Sequence, residues 1–347
     1  MKITPLNKLP EPLDIRKRYP LSDEAIATQR AIVREIEDVL SGKDDRILLV
    51  IGPCSADREA PVLEYLERLA RLRDEVKDCV LIIPRIYTNK PRTRGTGYKG
   101  MAESPDPTKG PDLLSGIIAI RKIHMRALLD FGFSGADEML YPENHAYLDD
   151  LLSYVAVGAR SVENQQHRLT SSGVGIPVGM KNPTSGELSV MINAIYAAQQ
   201  PQDFEYRGWA YRSEGNPYAH AILRGYVTPG SASGANYHYE DLKRLAELYD
   251  REGLVNPAVI VDVNHANSAK HFLEQPRIVE EVMHNRRRDV DVKHLVKGFM
   301  IESYLVDGHQ DVDGTTFGQS ITDPCLGWEK TETLVRAVAD GVDRGRR

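Results

Sequence analysis

Eight short apolar runs, spaced along the whole chain and each closing on a polar or chemically reactive residue, limit what this sequence can fold into. They are ILLVIGPCS (47–55), CVLIIPRIY (79–87), GADEML (135–140), VAVGAR (155–160), GIPVGMK (175–181), HAILRG (220–225), PAVIVDVNH (257–265) and VKGFMIES (296–303). Most are rich in β-branched residues or leucine, too short for helices and bounded by glycine or proline, as buried parallel strands are. Stretches such as PVLEYLERLARLRDEV (61–76) and DLLSGIIAIRKIHMRALLDFG (112–132) are long enough for crossover helices. Eight such units predict an α/β fold, a (β/α)8 TIM barrel over 45–347, with chemistry at the carboxyl ends of its strands. Those ends are Cys54, Arg85, Glu138, Arg160, Lys181, Arg224, His265 and Glu302.

Around the barrel the chain carries additions. Residues 1–44 form an N-terminal extension, read as a proline-punctuated arm over 1–20 and a helix over 22–41 stopped by Gly42. An arm of this kind suits a subunit contact. The aromatic-rich segment 200–219 reads as an inserted hairpin. The Gly/Ser-rich segment 227–240 follows the sixth strand on the catalytic face and is placed to close over a substrate.

Bulk properties narrow the function. A net charge of −6 with no basic tail argues against a nucleic-acid partner. No apolar run approaches the roughly 20 residues of a membrane span. Three cysteines are too few for a disulfide scaffold, so a reducing cytoplasm is expected. The informative charge is local: Arg85, Lys90, Arg92, Arg94 and Lys99 fall within fifteen residues that contain no acid. A cation cluster in an acidic protein points to a small anionic ligand held in a cleft.

Two constellations follow from the barrel. Cys54, His265 and Glu302 close strands one, seven and eight, and Asp323 follows shortly after. A thiolate, an imidazole and two carboxylates suit one divalent transition metal such as Mn, Fe, Co or Zn. Each residue alone reads equally well as a packing residue; their common position at the rim is what favours a site. Arg85, Lys90, Arg160, Lys181 and Arg224 form the second group. Glu138 and Glu163 are placed to pair with two of them, leaving at least three to meet an anion such as a phosphate with a carboxylate. Lys90-Pro91-Arg92-Thr93 offers a second anion site.

These residues lie in segments that together resemble type I 3-deoxy-D-arabino-heptulosonate 7-phosphate (DAHP) synthases of the phenylalanine- or tyrosine-regulated group. The segments are DDRILLVIGPCS (44–55), KPRT (90–93), VGAR (157–160), PVGMKN (177–182), ILRG (222–225), HANSAK (265–270), ES (302–303) and SITDPCLGWE (320–329). The resemblance implies a transferase that condenses phosphoenolpyruvate with erythrose 4-phosphate at the head of aromatic biosynthesis. It implies metal ligation by Cys54, His265, Glu302 and Asp323, and phosphoenolpyruvate against Arg85, Lys90, Lys99, Arg160, Lys181 and Arg224. Erythrose 4-phosphate would meet Lys90, Pro91, Arg92 and Thr93. Lys90 is the candidate proton donor, His265 a partner in water activation and Glu138 an orienting group. A homodimer or homotetramer is implied.

The chain departs from that pattern in places. KPRTRGTGYKG carries one residue more than usual, with Arg94 added. Strand three ends DEMLY, so Tyr141 replaces a carboxylate of the family's inhibitor pocket; weak or absent inhibition by phenylalanine and tyrosine is expected. The altered segments surround the aldehyde and leave room for another aldose phosphate as acceptor. A Schiff-base aldolase on Lys90 or Lys181 and a non-catalytic metabolite-sensing barrel are further readings. Cys325, two residues after Asp323, is a candidate disulfide partner for Cys54.

Overall fold

The computed structural model describes residues 2–92, 94–228, 230 and 232–346, with side chains of the last helix described as far as Val342. Eight parallel strands lie where the apolar runs predict them: β1 Ile47–Gly52, β2 Val80–Pro84, β3 Ala136–Glu138, β4 Tyr154–Val157, β5 Val178–Lys181, β6 Ala219–Leu223, β7 Val259–Asp262 and β8 Val296–Glu302. Their order is β2-β1-β8-β7-β6-β5-β4-β3. The ring closes between β2 and β3, where Arg85 bridges Ala136 and Ile86 N donates to Ala136 O at 2.9 Å. This is a (β/α)8 barrel.

Almost every strand residue is buried, because barrel strands face side chains on one side and helices on the other. Register then decides which strand ends meet. Gly52 pairs with Glu302, which sets Glu302 two residues from Cys54. Gly52 is also a steric necessity, since a Cβ there would lie 2.4 Å from Arg85 O.

The helices carry their own signals. Glu59–Val76 and Leu113–Phe131 sit on the predicted crossovers. Asp112 caps the second through Ser115 N at 3.1 Å, and Gly132 ends it in the left-handed region at φ 67°. The crossover between β3 and β4 shrinks to one turn, Pro142–His145, because its short connection lacks room for a full helix.

The N-terminal segment needs one correction. Residues 12–18 are helical, not extended: Pro12 occupies the first helical turn, where proline is preorganised. This helix packs on its own barrel, with Ile15 against Ile117 and Tyr147. Buried Arg121 anchors the following turn by donating to Tyr19 O at 2.8 and 3.0 Å while forking onto Asp150 at 2.8 and 2.9 Å. Residues 2–8 are exposed. The helix Asp23–Ser41 then buries Val33, Ile36, Val39 and Leu40, each such side chain contributing about 1.5–3 kcal/mol.

The inserted hairpin is present as Asp203–Tyr206 paired with Trp209–Arg212. After β6, Tyr226–Val227 pairs with Ser233–Gly234; Pro229 and Ser231 of that loop lie outside the described residues. Among the described residues no helix is long and apolar enough to cross a membrane.

Candidate active site

Cys54, Glu302 and Asp323 converge at the carboxyl mouth of the barrel, with one donor atom from each lying within 4.8 Å of the others. His265 joins them, its Nε2 3.8 Å from Glu302 Oε1. The set fits a divalent cation on chemistry as well as spacing: a thiol, an imidazole and two carboxylates in a buried recess are costly together without one. Burial pushes the Cys54 thiol up, Glu302 reinforces this and Lys90 opposes it. A bound cation would reverse that balance and favour the thiolate.

Glu302 is held from every side. Burial alone would raise its carboxyl, but Arg85 and then His265 outweigh that and hold it below the usual range. Arg85 Nη2 donates to Oε1 at 2.8 Å, and Asn264 Nδ2 to Oε2 at 2.6 Å. The Gln275 side chain brackets the Glu302 backbone, donating to its carbonyl and accepting from its amide at 2.9 Å each. Arg85 is itself enclosed. It donates to Pro53 O at 3.2 Å and Cys54 O at 3.3 Å, and its guanidinium lies 3.7 Å from the Tyr87 ring centroid.

The loop after β7 is strained. His265, Ala269 and Lys270 have φ of 49°, 49° and 62°, conformations costing on the order of 1–3 kcal/mol each. Among the hydrogen bonds that hold it are Lys270 N to His265 O at 2.7 Å and Ala266 N to Arg224 O at 3.2 Å. Lys270 Nζ reaches Asp323 Oδ1 at 3.0 Å. Burial would raise Asp323, but Lys90 and Lys270 hold it well below the carboxylate range.

The predicted cations differ in their surroundings. Lys181 is buried and donates to Asp262 Oδ2 at 2.9 Å. Arg224 is 8% exposed, and its Nη1 has no hydrogen-bond partner among the described residues. Burial lowers its guanidinium, and the nearby Arg160 lowers it further. Arg160 is exposed and makes no ion pair among the described residues. Lys90 is half-buried and donates to Cys54 Sγ and, at 3.3 Å, to Cys54 O.

The loop that follows β2 is looser. Arg92 Nε donates to Tyr98 O at 2.7 Å, Pro91 is half-buried, and Lys99 pairs with Glu103 at 2.9 Å. Thr93, the remaining predicted acceptor contact, lies outside the described residues. Glu138 is buried beside Gly158, where an added Cβ would meet its Oε1 at 2.3 Å. The expectation that Glu138 and Glu163 neutralise two cations is corrected: neither carboxylate forms an ion pair among the described residues. Glu302 and Asp262 pair with Arg85 and Lys181 instead, which leaves Lys90, Arg160 and Arg224 to meet a ligand.

Sequence reading missed Asp262, Asn264 and Gln275. Asp262 is fully buried, with Oδ2 2.8 Å from His265 Nδ1, although the ring N–H is poorly aligned with that oxygen. Burial would raise its carboxyl; His265 and Lys181 hold it well below the usual value. The signal was present in VDVNH, a strand-end acid three residues before a candidate ligand. Cys325 is buried and free, its Sγ 3.4 Å from Cys54 N. A groove of 770 Å³ between the helices Gln275–Arg288 and Trp328–Arg346 lies on the outer wall, away from this chemistry.

A similar architecture and a related sequence occur in known proteins. The DAHP synthetase I family profile matches residues 21–336. A phospho-2-dehydro-3-deoxyheptonate aldolase of Haemophilus influenzae is 37% identical, over 98% of this chain and 93% of its own. The phenylalanine-sensitive aldolase of Escherichia coli K12 is 36% identical over 100% of this chain and 98% of its own. The solved structure of the Francisella tularensis phospho-2-dehydro-3-deoxyheptonate aldolase superposes with a TM-score of 0.92 at 30% identity, covering 100% of both chains. With fold and sequence in agreement along nearly its whole length, the chain belongs to the DAHP synthetase I family of transferases.

Proposed function

We propose that this enzyme condenses phosphoenolpyruvate with erythrose 4-phosphate to give DAHP and inorganic phosphate, using one divalent metal, Mn by preference. The observation that carries this reading is the buried Arg224 guanidinium with an unpartnered nitrogen, close to Arg160 and to the Cys54–Glu302–Asp323 cluster. An anion beside a metal-ligand set is what an enol phosphate attacking an aldehyde requires.

Cys54, His265, Glu302 and Asp323 would hold the metal, which supplies Lewis acidity toward the aldehyde oxygen. Arg160, Lys181 and Arg224 bind phosphoenolpyruvate; Lys90 lies between that site and the acceptor. Arg85 supports Glu302 at the edge of the same recess. Pro91, Arg92, Thr93 and Lys99 belong to the loop that meets the acceptor phosphate. Positioning is the main task. The nucleophilic carbon of the enol forms a C–C bond to the aldehyde carbon, and the aldehyde oxygen takes a proton from Lys90. Water adds to the former enol carbon, one of its protons restoring Lys90 and the other passing to phosphate, which leaves with cleavage of its C–O bond. Glu138 orients that water. The reading places the enzyme in the cytoplasm as a homodimer or homotetramer. Recovery of a seven-carbon 3-deoxy-2-keto acid phosphate from the two substrates tests it; an eight-carbon product from arabinose 5-phosphate alone would reject it.

The departures in the 90–99 loop support a second reading, in which another aldose phosphate is the acceptor. They do not touch the metal or enol-phosphate residues.

Weak inhibition by phenylalanine and tyrosine is part of the proposal. Tyr141 is 51% exposed, and the space beside Glu138, Tyr141, Asn144 and His145 is about 10 Å³, room for one water and not an amino acid. Rates measured with millimolar phenylalanine or tyrosine should stay within about twofold of the control; half-inhibition at micromolar concentration would reject this.

A further inference from the structure

We propose that Asp262 is a positioning residue that links the metal-ligand set to the anion site, so that occupation of one strengthens the other. The inference deepens the proposed function, resting on its placement of His265 toward the metal and Lys181 toward the enol phosphate.

One carboxylate oxygen faces both groups. Asp262 Oδ2 lies 2.9 Å from Lys181 Nζ and 2.8 Å from His265 Nδ1. Its other oxygen accepts from Asn264 N at 3.1 Å, and its backbone carbonyl accepts from Asn267 Nδ2 at 2.8 Å. The carboxylate is fully buried at the end of β7, so it cannot swing to serve either group separately. Asn264 extends the arrangement to the ligand set by donating to Glu302.

The chemistry follows from that shared oxygen. The negative charge 2.8 Å from Nδ1, though poorly aligned with its N–H, favours the tautomer with the proton there and leaves the Nε2 lone pair on the Glu302 side. Lys181 competes for the same negative charge. An anion that draws the Lys181 ammonium leaves Asp262 to polarise His265 more fully, which makes the imidazole a stronger donor. Linkage is reciprocal, so a cation bound at His265 must tighten anion binding by the same factor.

The test measures Mn²⁺ binding to the full-length protein by loss of the free-ion electron paramagnetic resonance signal, with and without saturating phosphoenolpyruvate. Unsubstituted protein should bind Mn²⁺ about tenfold or more tightly when phosphoenolpyruvate is present, within the ordinary range of coupling. Asp262→Asn should lose about 10–100-fold in Mn²⁺ affinity, keep its phosphoenolpyruvate affinity within about threefold, and show linkage below about threefold. A merely structural role would lower both affinities together, and that result overturns the inference. Unchanged linkage in Asp262→Asn also overturns it. If the unsubstituted protein binds both ligands independently, the inference alone fails; if it binds neither, the proposed function fails with it. Should Asp262→Asn not fold, ¹⁵N-histidine NMR of the unsubstituted protein decides, with His265 assigned by its loss in His265→Gln. An Nδ1-protonated ring whose resonances move on adding phosphoenolpyruvate supports the link, whereas an Nε2-protonated or unresponsive ring refutes it.

Discussion

The two sides of the barrel mouth are built differently. On the strand-end side Arg85, Lys181, Asp262 and Glu302 are between 0 and 3% exposed; Arg85, Asp262 and Glu302 are each held by at least two neighbours, and Lys181 by Asp262. On the loop side Arg94, Gly95, Thr96 and Gly97 are exposed, and Arg92 is steered by one hydrogen bond to Tyr98 O. Strand ends of a closed barrel cannot shift without breaking the sheet, whereas a loop tip can change length and charge at small energetic cost. Of the departures expected from the family pattern, Arg94 lies on this loop, whereas Tyr141 follows β3. Such a division keeps the common chemistry fixed while leaving acceptor recognition free to vary.

The sharpest way to break this contrast is to remove a charge from the buried side. Glu302→Gln should cost about 3–5 kcal/mol of stability, because Arg85 is left buried without its counter-charge. Metal content should fall with it. Denaturant unfolding and metal analysis check both; a protein as stable as the original would show that the wall is not held by this pair.

The buried side also sets a pH limit. His220 on β6 is 1% exposed, hydrogen-bonded to Tyr154 Oη and Tyr218 O at 2.8 Å each, and burial pushes its imidazole down to about 4. Between about pH 6.5 and 4 the unfolded chain takes up a proton that the folded chain refuses. Stability therefore falls as pH drops through that window, by at most about 3 kcal/mol. Urea unfolding at pH 7 and pH 5 should show the decline, and His220→Gln should make it shallower, the remainder coming from His145, which burial also pushes down to about 4. An equally steep decline in the variant would assign the effect elsewhere.

Substitutions on the loop side should act on one substrate only. Arg92→Ala should raise the acceptor KM about 10–100-fold, the worth of a charged hydrogen bond, with Tm and the phosphoenolpyruvate KM little changed. A parallel rise in both KM values would mean that the loop also shapes the enol-phosphate site. Arg94 is exposed and makes no ion pair among the described residues. Arg94→Ala should change every kinetic parameter by less than about twofold. A larger effect confined to the acceptor would make the added cation a specificity determinant.

The same contrast explains what could be read from the sequence. A fully buried parallel strand needs an unbroken apolar run, so all eight strands were visible, and a charge closing such a run stands out. Cys54, Glu302 and Asp323 were legible because the barrel brings strand ends together regardless of sequence distance. Asp262 escaped notice because a strand-end acid reads the same whether it neutralises a lysine or faces solvent; only register across β5, β6 and β7 shows that it meets Lys181 and His265. Gln275 was hidden for a related reason, since a helix residue bracketing a distant backbone leaves no periodic trace. Pro12 masked a helix because proline ends some helices and begins others, and composition alone does not separate the two.

The central claim is tested most directly by phosphate release from phosphoenolpyruvate by the reduced, Mn-loaded protein, comparing erythrose 4-phosphate with arabinose 5-phosphate and other aldose phosphates. The account predicts fast release with erythrose 4-phosphate and little with the five-carbon sugar. Silence with erythrose 4-phosphate and turnover with another aldehyde would contradict it and transfer acceptor choice to the loop carrying Arg92, Arg94 and Tyr98.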